Sequence, residues 1–362
     1  MINSNAKDLG DALVRPGLRA LVPYESARRI GGSGEVWLNA NENPYARSLT
    51  ISAERWHRYP DFQPPAVVEG YARYAGVNPE QVLISRGADE AIELLIRTFC
   101  EPGVDKVIYC PPTYGMYNIS SKTNLVGLTE VPLDNDFQPD VAAIIAAASD
   151  AKLLFLCSPN NPTGHLLERE RLLALLEALA GKTLVVVDEA YIEFAMDATV
   201  VPLLAQYPHL VITRTLSKAF GLAGIRCGFT LAAPEIIGQL AKVIAPYPVP
   251  VPVAQIAAEA LSDEGLARMA EQVSLLNSLR DDFVAAIGRL PNVKVWASHG
   301  NFVLLQVPDN LACMAAAAKA GIILRDQSKQ KALPRCVRVT IGSEEEMLRT
   351  VNALDTYLRS SN

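Results

Sequence analysis

Three residues with chemically useful side chains follow apolar runs that are typical of buried strands. Lys218 comes after the run 210–216, Asp188 directly follows the run 184–187, and Asn161 lies just beyond a third run. A lysine amine can attack a carbonyl group, and a carboxylate can keep a ring nitrogen protonated. The chain order Asn, Asp, Lys therefore indicates a catalytic site rather than three unrelated surface residues.

Parallel strands are the elements that would position these residues. Continuous runs of Val, Ile and Leu between helical patterns are typical of strands covered on both faces of a parallel sheet. Ligands of such sheets bind at the carboxyl ends of the strands, where we expect Asn161, Asp188 and Lys218 to meet. An amine nucleophile beside an acid for a pyridine nitrogen favours pyridoxal 5'-phosphate (PLP) as cofactor.

A phosphate-binding turn is predicted at 85–89. This stretch joins a strand-like run to a helical pattern, and Gly87, Ala88 and Asp89 stand where the helix begins. The free backbone N–H groups and the dipole of a helix start attract anions. We expect the turn to hold the phosphate of the cofactor.

Motifs along most of the chain resemble those of the fold-type I PLP-dependent aminotransferases. The stretches that carry the likeness are 158–164, 187–191 and 215–226. Shorter stretches are similar to the histidinol-phosphate aminotransferases of that family, namely 38–44, 58–60, 85–90, 110–117, 245–248 and 324–327. The resemblance runs from about Val22 to about Thr350. It implies exchange of an amino group between L-histidinol phosphate and 2-oxoglutarate, with imidazole acetol phosphate and L-glutamate as products, in histidine biosynthesis.

The resemblance also implies roles around the cofactor ring. Lys218 holds the cofactor covalently and then moves the proton of the substrate carbon, while Asp188 pairs with the ring nitrogen. Asn161 and Tyr191 hydrogen-bond the phenolic oxygen of the ring, and Tyr114 stacks on its face. Catalysis is expected to depend on Lys218, Asp188 and Tyr191.

Further matches concern the phosphate of the cofactor. By resemblance, Ser217 and Arg226 supply a hydroxyl and a guanidinium that complete its binding site, because the guanidinium fork matches phosphate oxygens. Tyr59 matches a residue that reaches the cofactor phosphate of a partner subunit. The resemblance therefore implies a homodimer with shared active sites.

Four residues are implied to bind substrates. Arg338 matches the arginine that grips the substrate carboxylate, and glutamate or 2-oxoglutarate would use the same grip. Tyr24, Arg325 and Tyr247 match positions near the phosphate of histidinol phosphate. Because that substrate has no carboxylate, one site must accept both it and a dicarboxylate, and arginines can serve either anion.

The pattern along the chain predicts an α/β protein with two lobes. Residues 1–29 are expected to form an arm, 30–250 a large PLP-binding domain with a mostly parallel sheet, and 251–362 a smaller α+β domain. The proline cluster 246–252 marks the boundary, and a long helical stretch over 254–290 follows it.

Composition excludes several other classes of protein. The 362 residues carry a net charge of −6, with both signs interspersed, which argues against a nucleic-acid partner. The six cysteines show no pairing or metal-ligand spacing and are expected to be buried thiols, so no metal is predicted. Neither a secretory signal nor an apolar run of membrane-spanning length is visible, so we expect no membrane partner and a cytoplasmic location.

Three alternatives stay open at this point. A threonine-phosphate decarboxylase-like lyase would share the lysine, aspartate and asparagine motifs, and a broad-range aromatic amino-acid aminotransferase would share the chemistry. A PLP-sensing transcription regulator would need a basic DNA-binding domain ahead of the first motif, and only about twenty residues precede Val22.

Overall fold

A computed structural model of the chain describes residues 6–23, 26–30 and 33–360. Its helices are α1 Ala6–Leu13, α2 Ala27–Ile30, α3 Pro65–Ala75, α4 Ala88–Phe99, α5 Met116–Thr123, α6 Val141–Ala147, α7 Arg169–Leu179, α8 Pro234–Leu240, α9 Val251–Ala260, α10 Asp263–Ile287, α11 Asn310–Lys319 and α12 Glu344–Ser360. Its strands are β1 Val36–Trp37, β2 Val82–Ser85, β3 Lys106–Tyr109, β4 Gly127–Glu130, β5 Ala151–Cys157, β6 Leu184–Asp188, β7 Leu210–Thr215, β8 Gly228–Ala232, β9 Lys294–Val295, β10 Phe302–Gln306, β11 Ile322–Ile323, β12 Arg325–Asp326 and β13 Cys336–Thr340.

A seven-stranded sheet forms the centre of the large lobe. Its strand order is β2-β8-β7-β6-β5-β3-β4, and the pairings among β4, β3, β5, β6 and β7 are all parallel. Strand β8 is antiparallel to both of its neighbours, so β2 runs in the same direction as β7. The carboxyl ends of β2, β3, β5, β6 and β7 therefore lie at one edge, where β8 begins.

Both faces of this sheet are buried, as the apolar runs predict. Along β6, Val185 and Val187 pack into a core that extends into the C-terminal lobe, whereas Val186 packs into a second core on the other face. Successive side chains of a strand point to opposite faces, so a strand buried on both sides must be apolar throughout. The predicted α/β fold with a mostly parallel sheet is confirmed.

The C-terminal part contains a four-stranded antiparallel sheet in the order β12-β13-β10-β9. Strand β1 pairs in parallel with β11, so the segment near residue 36 is attached to the C-terminal part although it precedes the large sheet in sequence. The chain from β1 onward thus connects the two sheets on its way to the large lobe.

The helical stretch predicted over 254–290 is two helices, α9 and α10, which meet at Ser262. The Ser262 hydroxyl accepts a hydrogen bond from the Gly265 amide at 3.1 Å and caps α10. A Cβ on Gly265 would lie 2.4 Å from the Glu259 carbonyl oxygen, so the close approach of the two helices requires glycine there.

The described residues allow the predictions about the cysteines and about membrane-spanning helices to be compared with the structure. All six cysteines are free thiols, and five are buried, whereas Cys157 is half-buried at the end of β5. Within the described ranges, none of the helices combines the length and apolar character needed to cross a membrane.

Candidate active site

A cavity of about 690 Å³ opens at the carboxyl edge of the large sheet. The predicted site residues that line it are Ala88, Asp89, Tyr114, Asn161, Asp188, Tyr191, Ser217, Lys218, Arg226, Arg325 and Arg338. The strand ends of the large sheet supply most of these, and β12 and β13 of the small sheet supply the last two. The cavity therefore lies where the two sheets face each other.

Lys218 lies three residues beyond the end of β7, with its amine inside the cavity. Its Nζ donates a hydrogen bond to the Ala40 carbonyl at 2.9 Å and lies 5.5 Å from the centre of the Tyr191 ring. Burial, together with the positive charge of Arg338, lowers the pKa of the amine to about 8. Roughly a tenth of the amine is then unprotonated at pH 7, far more than for an ordinary lysine, and a nucleophile or base must be in this form.

Asp188 is the last residue of β6 and is only 2% exposed. Its Oδ2 accepts a hydrogen bond from the Tyr117 hydroxyl at 2.8 Å, and its Oδ1 accepts one from the Ala190 amide at 3.1 Å. Burial raises the pKa of the carboxyl to about 6, and these hydrogen bonds oppose the rise. At neutral pH this is a buried carboxylate held by neutral donors, which a cationic ring nitrogen would stabilise.

The predicted phosphate turn joins β2 to α4. Gly87, with φ of 84°, precedes the first residue of α4, and a Cβ there would lie 2.6 Å from Arg226 Nη2. Arg226 Nη1 donates to the Ser217 hydroxyl at 3.2 Å, and Nη2 donates to Asp89 Oδ2 at 3.4 Å. The start of α4, a hydroxyl and a guanidinium thus surround one end of the cavity, which is the donor set for a phosphate.

Arg338 connects the two lobes at the other end of the cavity. Its Nη1 donates to Asn161 Oδ1 at 2.5 Å, and its Nη2 donates to the Asn39 carbonyl at 2.8 Å. Because the Asn161 oxygen is engaged by Arg338, the Asn161 amide nitrogen is the group left for an acceptor in the cavity. Tyr191 accepts a hydrogen bond from Asn41 Nδ2 at 3.0 Å.

The remaining predicted residues do not all lie in the cavity. Tyr114 lies in the cavity wall, where its hydroxyl donates to Asp89 Oδ1 at 2.8 Å. Tyr59 and Tyr247 lie outside the cavity, 77% and 49% exposed, with their rings stacked 4.4 Å apart. Tyr24 falls outside the described residues.

Sequence patterns did not identify several residues that contact the site. Tyr117 holds Asp188, and the segment 39–41 contacts Arg338, Lys218 and Tyr191 in turn. Both lie in motifs that carry the family resemblance. The asparagines at alternate positions are the sequence feature that could have identified the segment 39–41. Other residues that line the cavity without a predicted role include the polar residues Ser26, Arg28, Glu42, Thr113, Gln327 and Gln330.

These residues fit PLP. The fully buried carboxylate of Asp188 suits a protonated pyridine nitrogen, the Lys218 amine suits the aldehyde, and the turn at Gly87 suits the phosphate. Among the described residues, no group of three or more His, Cys, Asp or Glu side chains is arranged to hold a metal ion.

Comparison with known proteins agrees with this geometry. A family model described as aminotransferase class I and II matches residues 33–354. Histidinol-phosphate aminotransferases of Aeromonas hydrophila and Aeromonas salmonicida are 61% and 59% identical to the chain, each over 92% of it and 94% or 95% of their own length. The crystal structure of histidinol-phosphate aminotransferase from Sinorhizobium meliloti in complex with pyridoxal-5'-phosphate superposes with a TM-score of 0.84 at 26% identity, covering 97% of this chain and 99% of that one. The chain therefore belongs to the class I and II aminotransferases and, within them, to the histidinol-phosphate aminotransferase family.

Proposed function

We propose that the chain is a PLP-dependent aminotransferase that converts L-histidinol phosphate and 2-oxoglutarate into imidazole acetol phosphate and L-glutamate, in histidine biosynthesis. The observation that carries this proposal is a pair of arginines in the cavity that also contains Lys218. Arg325 on β12 and Arg338 on β13 are direct cross-strand partners, and both line the cavity. Two guanidinium groups in one cavity wall offer the forked N–H donors that match carboxylate and phosphate oxygens.

Two arginines also suit two different substrates. A dicarboxylate can place one carboxylate on each guanidinium, whereas an amino alcohol phosphate needs only one guanidinium for its phosphate. We assign the amino-acid carboxylate to Arg338, which Asn161 and the Asn39 carbonyl hold in place. Arg325, which is less buried, is assigned to the phosphate or the distal carboxylate.

Lys218 is the base of this reaction. Its Nζ, with a pKa of about 8, would take the proton from the substrate carbon that carries the nitrogen and deliver it to the C4′ carbon of the cofactor, and the half-reaction with the second substrate would run the same transfer in reverse. The bound cofactor supplies the electron sink that makes this carbon acidic. Asp188 keeps the ring nitrogen of the cofactor protonated, and Tyr117 keeps the Asp188 carboxylate oriented through its hydroxyl.

We also propose that the enzyme is a homodimer with shared active sites. The stacked rings of Tyr59 and Tyr247 lie outside the cavity of their own chain. The exposed apolar side chains of Ile51, Trp56 and Phe62 belong to the same stretch of sequence as Tyr59. Large exposed apolar side chains grouped in this way favour a protein partner. A second copy would bring Tyr59 to the neighbouring cofactor phosphate. A cytoplasmic location stays a prediction from composition.

The reaction is tested with purified enzyme loaded with PLP. We expect a visible cofactor band that bleaches when glutamate is added, and glutamate formation only when L-histidinol phosphate and 2-oxoglutarate are both present. Lys218→Ala is the matched control and should form no glutamate. Turnover of L-threonine O-3-phosphate with release of CO₂, or equal activity with aromatic amino acids, would replace the proposal with one of the two alternative activities.

Mixed dimers test whether the active sites are shared. Lys218→Ala subunits lack the base, and Tyr59→Ala subunits lack the residue proposed to cross the interface. If sites are shared, refolding the two variants together restores activity, because one site of each mixed dimer then has both residues. Activity no higher than the sum of the separate variants would show that Tyr59 acts within its own chain.

A further inference from the structure

Asn41 is a fully buried residue whose backbone and side chain are both held by hydrogen bonds. It is 1% exposed and has a φ of 53°, a left-handed conformation that Asn adopts more readily than most residues. Its backbone amide donates to the Thr340 hydroxyl at 3.0 Å, and its carbonyl accepts from Asn301 Nδ2 at 3.1 Å. Two residues of the C-terminal part therefore hold the backbone at this position.

The hydrogen bonds fix which end of the Asn41 amide faces the site. The Thr340 oxygen accepts the Asn41 backbone N–H, and its own single proton goes to Asn41 Oδ1 at 3.2 Å. The Asn41 Nδ2 then faces the Tyr191 hydroxyl at 3.0 Å and donates to it. Tyr191 is the acceptor in this contact, so its one proton must point elsewhere.

The proton of the Tyr191 hydroxyl therefore points into the cavity. Tyr191 is buried and lines the cavity beside Asn161 and Lys218, and its ring packs edge-on against Phe302 with 5.0 Å between centroids. Burial raises the pKa of Tyr191, so the hydroxyl keeps its proton at working pH. A neutral tyrosine that already accepts one hydrogen bond is a donor to whatever acceptor occupies the cavity.

We propose that Asn41 is a positioning residue that makes Tyr191 a hydrogen-bond donor to the phenolic oxygen of the bound cofactor. This inference rests on the proposed function, because it needs PLP in the cavity. A donor at the phenolic oxygen lowers the basicity of that oxygen. Asn41 thereby lowers the pH at which the bound cofactor loses its proton, through its hydrogen bond to Tyr191.

The test measures that pH directly, from the visible absorbance of the PLP-loaded enzyme. Asn41→Gly removes the side chain and tolerates the left-handed backbone. We expect the midpoint of the pH titration of this absorbance to rise by about one pH unit or less in the variant, because the free energy of one hydrogen bond corresponds to a shift of that size. Asn41→Asp reverses the contact, because a carboxylate accepts the Tyr191 proton, and should raise the midpoint further.

A double-variant cycle separates this role from a structural one. If Asn41 acts through Tyr191, then Asn41→Gly should leave the midpoint unchanged in a Tyr191→Phe background. Asn43→Ala is the matched control: Asn43 lies in the same segment, bonded to the Ala219 carbonyl and Gln272 at 3.1 Å each, and does not contact Tyr191. It should loosen the segment and leave the midpoint in place.

If the parent enzyme shows a normal cofactor band, any of three results would overturn the role of Asn41 but not the proposed function. These are an unchanged midpoint in Asn41→Gly, an equal rise in Asn43→Ala, and an equal rise when Asn41→Gly is made in the Tyr191→Phe background. Absence of any cofactor band in the parent enzyme would overturn the proposed function and this assignment with it.

Discussion

Replacing Asp188 with Asn should stabilise the cofactor-free protein while impairing the enzyme. Burial raises the pKa of the Asp188 carboxyl from 3.8 to about 6. At about 1.4 kcal/mol for each pKa unit, the ionised carboxylate destabilises the folded state by about 3 kcal/mol at neutral pH. Asn keeps an acceptor for the Ala190 amide but loses the charge-assisted bond from Tyr117, so we expect a net gain of about 2 kcal/mol in the free energy of unfolding.

The pH dependence of stability shows at which pH the variant should be more stable than the parent. Because the folded-state pKa of Asp188 is raised, its contribution to stability is fully present below pH 3.8 and is lost as pH rises to about 6. The variant should therefore exceed the parent at pH 7.5 and lose that advantage toward pH 4. Chemical denaturation of cofactor-free protein, at one protein concentration across this range, measures the difference. Asp282→Asn, an exposed substitution on α10, is the control and should shift stability little at any pH.

Adding PLP should reverse the order of the two proteins. Ligand binding stabilises the folded state in proportion to the logarithm of its affinity, so each tenfold loss of affinity removes about 1.4 kcal/mol, and a loss of more than about 30-fold reverses an advantage of about 2 kcal/mol. The parent carboxylate gains a cationic partner in the ring nitrogen, whereas the neutral amide of the Asp188→Asn variant does not. A cofactor-free Asp188→Asn protein less stable than the parent at pH 7.5, or an advantage independent of pH, would refute the reasoning.

Three further substitutions test other parts of the structure. Lys218→Met should abolish turnover but retain noncovalent PLP binding, measured by fluorescence titration. Without cofactor, this variant should be about 3 kcal/mol more stable than the parent below pH 8, because burial lowers the pKa of the lysine from 10.5 to about 8, and the difference should close toward pH 10.5. Arg325→Ala should raise the KM for L-histidinol phosphate about tenfold or more, and equal KM values in steady-state assays would remove Arg325 from the substrate site. Arg214→Met should lower the free energy of unfolding by about 3 to 5 kcal/mol, because it leaves the fully buried Glu189 without its partner at 2.7 Å, and adding Glu189→Leu should recover much of the loss in denaturation experiments.

Local sequence patterns were sufficient to predict the large sheet and the residues at its edge. The apolar runs that became β5, β6 and β7 are buried on both faces, and such burial needs no information beyond the run itself. The positions of Asp188 and Lys218 followed from the ends of those runs. The antiparallel direction of β8 did not follow, since a strand buried throughout has the same composition in either direction.

Contacts between distant parts of the chain were beyond local patterns. The bonds of Asn41 to Thr340 and to Tyr191 span 299 and 150 residues, and no periodicity encodes them. The cross-strand register of Arg325 and Arg338 likewise depends on how β12 pairs with β13. The break between α9 and α10 was missed for a different reason, because Ser262 followed by two acidic residues is a local helix-start signal that was not used.

Two charged groups of the cavity are each unfavourable in the protein alone. The Asp188 carboxylate is buried beside neutral donors, and the Lys218 amine is buried enough to lower its pKa. A folded chain selected only for stability would avoid both, because each departs from the pairing that buried charges require. Each becomes favourable with a complementary group: a ring cation for Asp188 and an aldehyde for Lys218. The instability of the cofactor-free site is therefore the source of its affinity, and substitutions that neutralise one of these groups should trade function for stability.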